Sequence, residues 1–139
     1  MFDIYFINSL GYLFNKINMR GIIAVNNLGF IGLGDKLLWN NKEDLNHFKE
    51  LTLNQTLLVG YNTFQGLPVL KNRKLVIDKR EEFILDVDWC IGGKKTYEKY
   101  CKFFTELHIS HINDNSIGDV GFPLLNELNK DCKIFNYYF

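Results

Sequence analysis

The sequence predicts an α/β protein built on a central, mostly parallel sheet, and three observations carry that prediction. Short apolar runs of strand length recur along the chain. Helical segments lie between them, and strands that alternate with helices form parallel sheets joined by crossovers. The turns after three of these runs are glycine-rich or small, and parallel sheets bind ligands beyond the carboxyl ends of their strands.

The elements follow in order. GIIAV (21–25) is a buried strand, and NNLGFIGLGD (26–35) is a glycine-rich loop. Residues 41–53 form a helix. QTLLVG (55–60) is the second strand and runs into YNTF, where a helical turn starts around Thr63 and stops before Pro68. RKLVID (73–78) is the third strand, and VDWCIGG (87–93) is the fourth, ending in a glycine pair. KKTYEKYCKFF (94–104) is a short helix, ELHISHI (106–112) the fifth strand and CKIFNYYF (132–139) the sixth.

With 139 residues the chain fits one domain able to bury a real core. Sixteen basic and sixteen acidic residues cancel, so no global field draws nucleic acid or an anionic membrane. A small-molecule ligand is the default. Cys90, Cys101 and Cys132 are an odd set at unrelated spacings, which gives neither a disulfide framework nor a metal pair. Reduced thiols and a cytoplasmic location are expected. No run has the length of a membrane span, and no signal peptide is expected.

Asp44 raises the first chemical question. At about 100° per residue it falls inside the apolar stripe, beside Phe48 and Leu51. An unpaired buried carboxylate tends to raise its own pKa, which suits a proton relay. The plainer reading is capping: with Asn41 as N-cap, Asp44 is the third helical residue, where acids are favoured. IGGKKTY (91–97) is a strand, a Gly-Gly turn and a helix start, either a phosphate cradle or a plain tight turn. GYNTF (60–64) repeats that pattern. Arg73 is either a surface residue or a clamp for a carboxylate. Trp39 is most simply packing, although a buried indole N–H needs a partner. His108 and His111 point to opposite faces of one strand, so they are not expected to share a metal.

Taken in order, GIIAV, FIGLGDKLLWNNKEDLNHFKELT, LLVGYNTFQGLP, NRKLVI, CIGGKKTYEKY and LHISHINDNSIGDVGFP resemble dihydrofolate reductase over about three quarters of the chain. The GLGDKLLW loop looks especially like bacteriophage members of that family. The resemblance implies a three-layer dihydrofolate-reductase-like fold and a reductase that converts dihydrofolate to tetrahydrofolate with NADPH. It also implies a place in one-carbon metabolism and a target for antifolates. Asp44 would bind the pterin and promote protonation at N5, with Trp39 holding an ordered water and Ser110 bonding the acid. Ile22, Ala24, Phe48, Leu67, Leu70 and Ile91 would line the folate pocket, and Arg73 would clamp the glutamate α-carboxylate. Ala24 and Ile31 would contact the cofactor, and the loop formed by residues 26–38 would close over the nicotinamide. The phosphates and adenosine would lie on Gly60, Tyr61, Asn62 and Thr63, on Asp78 and Lys79, and on Gly92, Gly93, Lys94, Lys95, Thr96 and Tyr97. Gly92 and Gly93 would be joined by the family's cis peptide. No metal is expected, and the resemblance implies a monomer.

The chain also departs from the pattern. Residues 74–90 are far fewer than usual, which implies a reduced adenosine-binding lobe. Tyr61 stands where a basic residue commonly contacts the 2′-phosphate. Asp78 stands where a small hydroxyl residue is common and could favour a ribose 2′-hydroxyl. Weaker selectivity for NADPH over NADH is therefore expected. The usual C-terminal hairpin is shortened, and residues 1–18 form an N-terminal extension of the single domain. FDIYFINS (2–9) could supply the missing edge strand through a linker, or the extension could be dispensable. Two other readings are a pyrimidine reductase of riboflavin synthesis and a non-catalytic protein that keeps the fold. Asp44 within the Trp39–Thr52 pattern argues against the first. Intact Asp44, Trp39, Thr63 and Gly92–Gly93 argue against the second.

Overall fold

A parallel sheet covered on both faces must send neighbouring residues of one strand into different cores. In β1 (Met19–Asn26), Ile22 enters one cluster and Ile23 the other. In β3 (Thr56–Val59) Leu57 and Leu58 divide the same way, and in β5 (Trp89–Cys90) so do Trp89 and Cys90. The computed structural model describes residues 17–34 and 37–139. The edge strand expected at residues 2–9 lies outside the described residues.

The six-stranded sheet runs β4–β3–β5–β1–β6–β8, with β4 at Lys74–Ile77, β6 at Phe104–Ile112 and β8 at Lys133–Tyr138. Every pairing in it is parallel. One face packs on α1 (Lys42–Thr52), which sends Phe48 and Leu51 against Ile22, Leu57 and Trp89. The other packs on α3 (Lys94–Tyr100), where Tyr97 and Tyr100 join Met19, Leu58 and Phe104. These are the three layers of the expected α/β fold.

Several boundaries differ from the sequence reading. α2 spans Tyr61–Gly66 and starts two residues before Thr63, because Gly60 itself is extended and serves as N-cap. α3 tightens into a 3-10 turn at Cys101–Phe103 rather than continuing to Phe104. A short antiparallel pair, β2 (Phe30–Gly32) with β7 (Val120–Gly121), sits within the loops and has too few residues to show a pattern. Where the sequence suggests a short C-terminal hairpin, β8 lies parallel to β6, with Ser110 opposite Tyr137. The connection over residues 113–132 is long enough to return the chain to the start of β6, as parallel pairing requires.

Candidate active site

The first turn of α1 places the acid. Asn41 is the N-cap, and its side-chain oxygen accepts from the Asp44 N–H at 3.0 Å. That cap leaves the Asp44 carboxylate free to turn toward the sheet, so capping and a site role coexist. The carboxylate is half-buried and lies near the Ser110 hydroxyl, which is buried on β6. Burial pushes the Asp44 carboxyl above its ordinary range, while Ser110 and the nearby His47 pull it back down. Trp39 precedes the helix and is half-buried; its indole Nε1 is buried and has no hydrogen-bond partner among the described residues. A buried donor left so is costly, and it suits a group awaiting a water or ligand.

An apolar wall adjoins the acid. Ile22, Phe48, Leu70 and Ile91 share one cluster with Leu57 and Trp89. Leu67 caps the C-terminus of α2 and is half-buried. Ala24 is half-buried beside Ser110 on the neighbouring strand. Arg73 is fixed at the rim: its Nε donates to the Lys71 carbonyl at 2.9 Å, and Nη1 lies 3.5 Å from the Thr52 hydroxyl. Its guanidinium carbon sits 6.0 Å from the centre of the Phe48 ring.

Two turns interlock at the carboxyl ends of β3 and β5. The Gly60 N–H donates to the Gly92 carbonyl at 2.7 Å. A Cβ on Gly60 would meet the Thr96 hydroxyl at 2.6 Å, and one on Gly93 would meet the Thr63 hydroxyl at 2.6 Å. Gly92 has φ +108, its peptide to Gly93 is cis, and the Tyr97 ring fills the space a Cβ would need. The Tyr97 hydroxyl donates to the Ile22 carbonyl at 2.6 Å, which ties this turn to the apolar wall. With no side chains of their own, Gly60 and Gly93 let backbone and threonine hydroxyls come close together at the strand ends, a kind of turn that an anionic phosphate can approach. Tyr61, Asn62, Lys94 and Lys95 are exposed around it.

Other predicted residues have other engagements. Both carboxylate oxygens of Asp78 receive Lys99 Nζ, at 3.0 and 3.2 Å, and Oδ1 also accepts from the Tyr100 hydroxyl at 2.6 Å. Lys99 further donates to the Lys79 and Glu82 carbonyls, and Tyr100 accepts from the Ile84 N–H. The short lobe is therefore fastened onto α3. Burial, with the hydrogen bond to Asp78 adding to it, pushes the Tyr100 hydroxyl well above its ordinary range, so it stays a donor. Lys79 is exposed, 3.9 Å from Glu82. Ile31 packs on the core beneath α3. The glycine-rich loop is anchored at its base, where Asn26 accepts from the Leu28 and Phe30 N–H groups, and farther on, where Asp119 accepts from the Gly34 N–H at 2.7 Å.

A family model described as dihydrofolate reductase matches residues 18–88, half of the chain. The chain belongs to the dihydrofolate reductase family. The dihydrofolate reductase of Buchnera aphidicola subsp. Schizaphis graminum is 29% identical over 85% of this chain and 84% of its own. Dihydrofolate reductase type 5 of Escherichia coli is 32% identical over 78% of this chain and 82% of its own. A solved dihydrofolate reductase from Enterococcus faecalis, complexed with NADP(H) and RAB-propyl, superposes with a TM-score of 0.68. It covers 80% of both chains at 23% identity, and so shows the shared reductase fold.

Two features of the site escaped the sequence reading. His47 follows Asp44 by three residues on one helix, a spacing that puts both on one face and could have revealed the pair. The Asp78–Lys99–Tyr100 fastening joins a strand end to a helix, and no local pattern signals it.

Proposed function

We propose that this dihydrofolate reductase reduces 7,8-dihydrofolate to tetrahydrofolate with NADPH, and that Asp44 serves as its proton-handling acid. The observation that carries this reading is the half-buried Asp44 carboxylate, near Ser110 at the end of an apolar wall. Asp44 would accept from the pterin 2-amino and N3 groups. Its raised affinity for a proton favours delivery at N5, with the Trp39 indole holding the relaying water. Ile22, Phe48, Leu70 and Ile91 would enclose the pterin and its benzoyl extension and exclude bulk water. Arg73 would clamp the terminal carboxylate.

The interlocked glycine turns fit a dinucleotide diphosphate, because a Cβ at Gly60 or Gly93 would collide with Thr96 or Thr63. Thr63 and the amides of Gly93 and Lys94 would hold it there. The reduced nicotinamide, when bound, supplies the hydride. The remaining task of the chain is alignment.

Weaker preference for NADPH over NADH than is usual in the family rests on Tyr61, which offers no charge to a 2′-phosphate. Asp78 adds little to it, since Lys99 and Tyr100 already occupy its carboxylate. We further infer a cytoplasmic monomer, in the host cytoplasm if phage-encoded, with no nucleic-acid or membrane partner. The balanced charge and the unpaired Cys90, Cys101 and Cys132 support that placement.

The test is oxidation of NADPH in the presence of dihydrofolate, followed by absorbance, for wild type and Asp44→Asn. Turnover that collapses in the variant at neutral pH and partly recovers as pH falls supports the reading. Wild-type protein that binds NADPH without turnover would overturn it and leave a retained fold with another task.

A further inference from the structure

We propose that His47 is a positioning residue for the reductase acid: one helical turn beyond Asp44 and clamped against the last strand, it sets the pH range over which Asp44 keeps its proton. The inference rests on the reductase reading above.

The geometry comes first. Asp44 and His47 stand three residues apart on α1 and share a face. The His47 ring is held by aromatic neighbours. Its centroid lies 4.0 Å from Tyr137 and 5.4 Å from Phe139, tilted at 52° and 46°. Its Nε2 is buried with no hydrogen-bond partner among the described residues. The imidazole therefore cannot swing into solvent without giving up this packing.

The charged and titratable groups around it come from three elements. On α1 they are Asp44 and Glu50, both of which favour a charged imidazole. From β6 comes His108, which opposes it. His108 is itself bonded through Nε2 to Glu106 at 2.8 Å and through Nδ1 to the Tyr137 hydroxyl at 2.9 Å. From β8 comes the Tyr137 hydroxyl, and the uncharged Phe139 ring closes that side.

Burial acts on the pair from both sides. It lowers the proton affinity of His47 and raises that of Asp44, which brings the two titrations together. Each charged form then stabilises the other, so the two titrations are coupled. As pH falls, the imidazolium holds Asp44 ionised longer than burial alone would allow. Without His47 the carboxylate loses that cation, and the protonated form persists to higher pH.

The closing experiment has two arms. In the first, the His47 ring is titrated by NMR in wild type and in Asp44→Asn. Its pKa is expected to fall by about half a pH unit or more in the variant. In the second, the pH profile of kcat/KM is compared among wild type, His47→Phe and His47→Gln. The alkaline fall is expected to move upward by a similar amount in both variants, since coupling between two sites is reciprocal. His47→Phe keeps a ring against Tyr137 and His47→Gln keeps polarity, so a shift common to both reports charge rather than packing. An unchanged His47 titration overturns the proposal, as does a lowered rate with an unmoved profile. If wild type shows coupling but no turnover, the reductase reading is overturned and the coupled pair stands.

Discussion

The two faces of the sheet treat their polar groups differently. On the α3 face, Lys99, Asp78, Tyr100 and Tyr97 are all engaged, and the short lobe is fastened by them. On the α1 face, Trp39 Nε1 and His47 Nε2 are buried without partners among the described residues, and Asp44 is held against its preference for water. One face spends its hydrogen-bonding capacity on stability. The other leaves such groups unspent, as a face that serves the proposed site would.

The strongest way to break this comparison is Asp44→Asn. Turnover at neutral pH should fall by about two to three orders of magnitude, the range expected for loss of a general acid. Stability should move the other way. Burial raises the folded-state pKa of Asp44 above its unfolded value, so the ionised carboxylate destabilises the native state at pH above that folded pKa. That penalty disappears as pH falls through it. The variant should therefore melt at a higher temperature than wild type near neutrality, and the gap should close in acid; a Tm series across pH checks the sign.

Lys99→Met probes the opposite face. The Asp78 and Lys99 side chains are 12% and 22% exposed, so the substitution leaves a largely buried carboxylate without its cation. Denaturant unfolding should show a loss of about 2 kcal/mol. The rate at saturating cofactor should remain unchanged. A large rate effect with intact stability would mean that the two faces are not divided as described.

Arg73→Lys should act on binding alone. A point charge replaces a planar fork, so KM for dihydrofolate should rise by about tenfold while kcat holds. Trp39→Phe should have the smallest effect: a few-fold slower hydride transfer in single-turnover measurements, with unchanged or slightly improved stability. The improvement is expected because the substitution removes a buried donor that has no partner among the described residues.

What the sequence disclosed follows the same division. Asp44 was legible because an acid on an apolar stripe violates helical patterning, and the glycine turns were legible because glycine pairs after strands have few uses. The split of Ile22 from Ile23 and of Leu57 from Leu58 follows directly from strand alternation. Asp78 was visible as a strand-end acid, yet its partners Lys99 and Tyr100 lie on a later helix. His47 was hidden because the residues that hold it, Tyr137 and Phe139, come at the far end of the sequence. The β2–β7 pair is too short to leave a pattern.

The parallel docking of β8 on β6 has a consequence for biosynthesis. α1 carries Asp44 early in translation, but the aromatic wall behind His47 arrives with the strand made last among those described. Until β8 emerges from the ribosome, a nascent chain has the acid without its backing, and β6 presents an open edge. Pairing across so long a separation is slow compared with local helix formation. Among the described residues, the aromatic wall behind His47 should thus be a late arrival, well after the helix that carries the acid has formed.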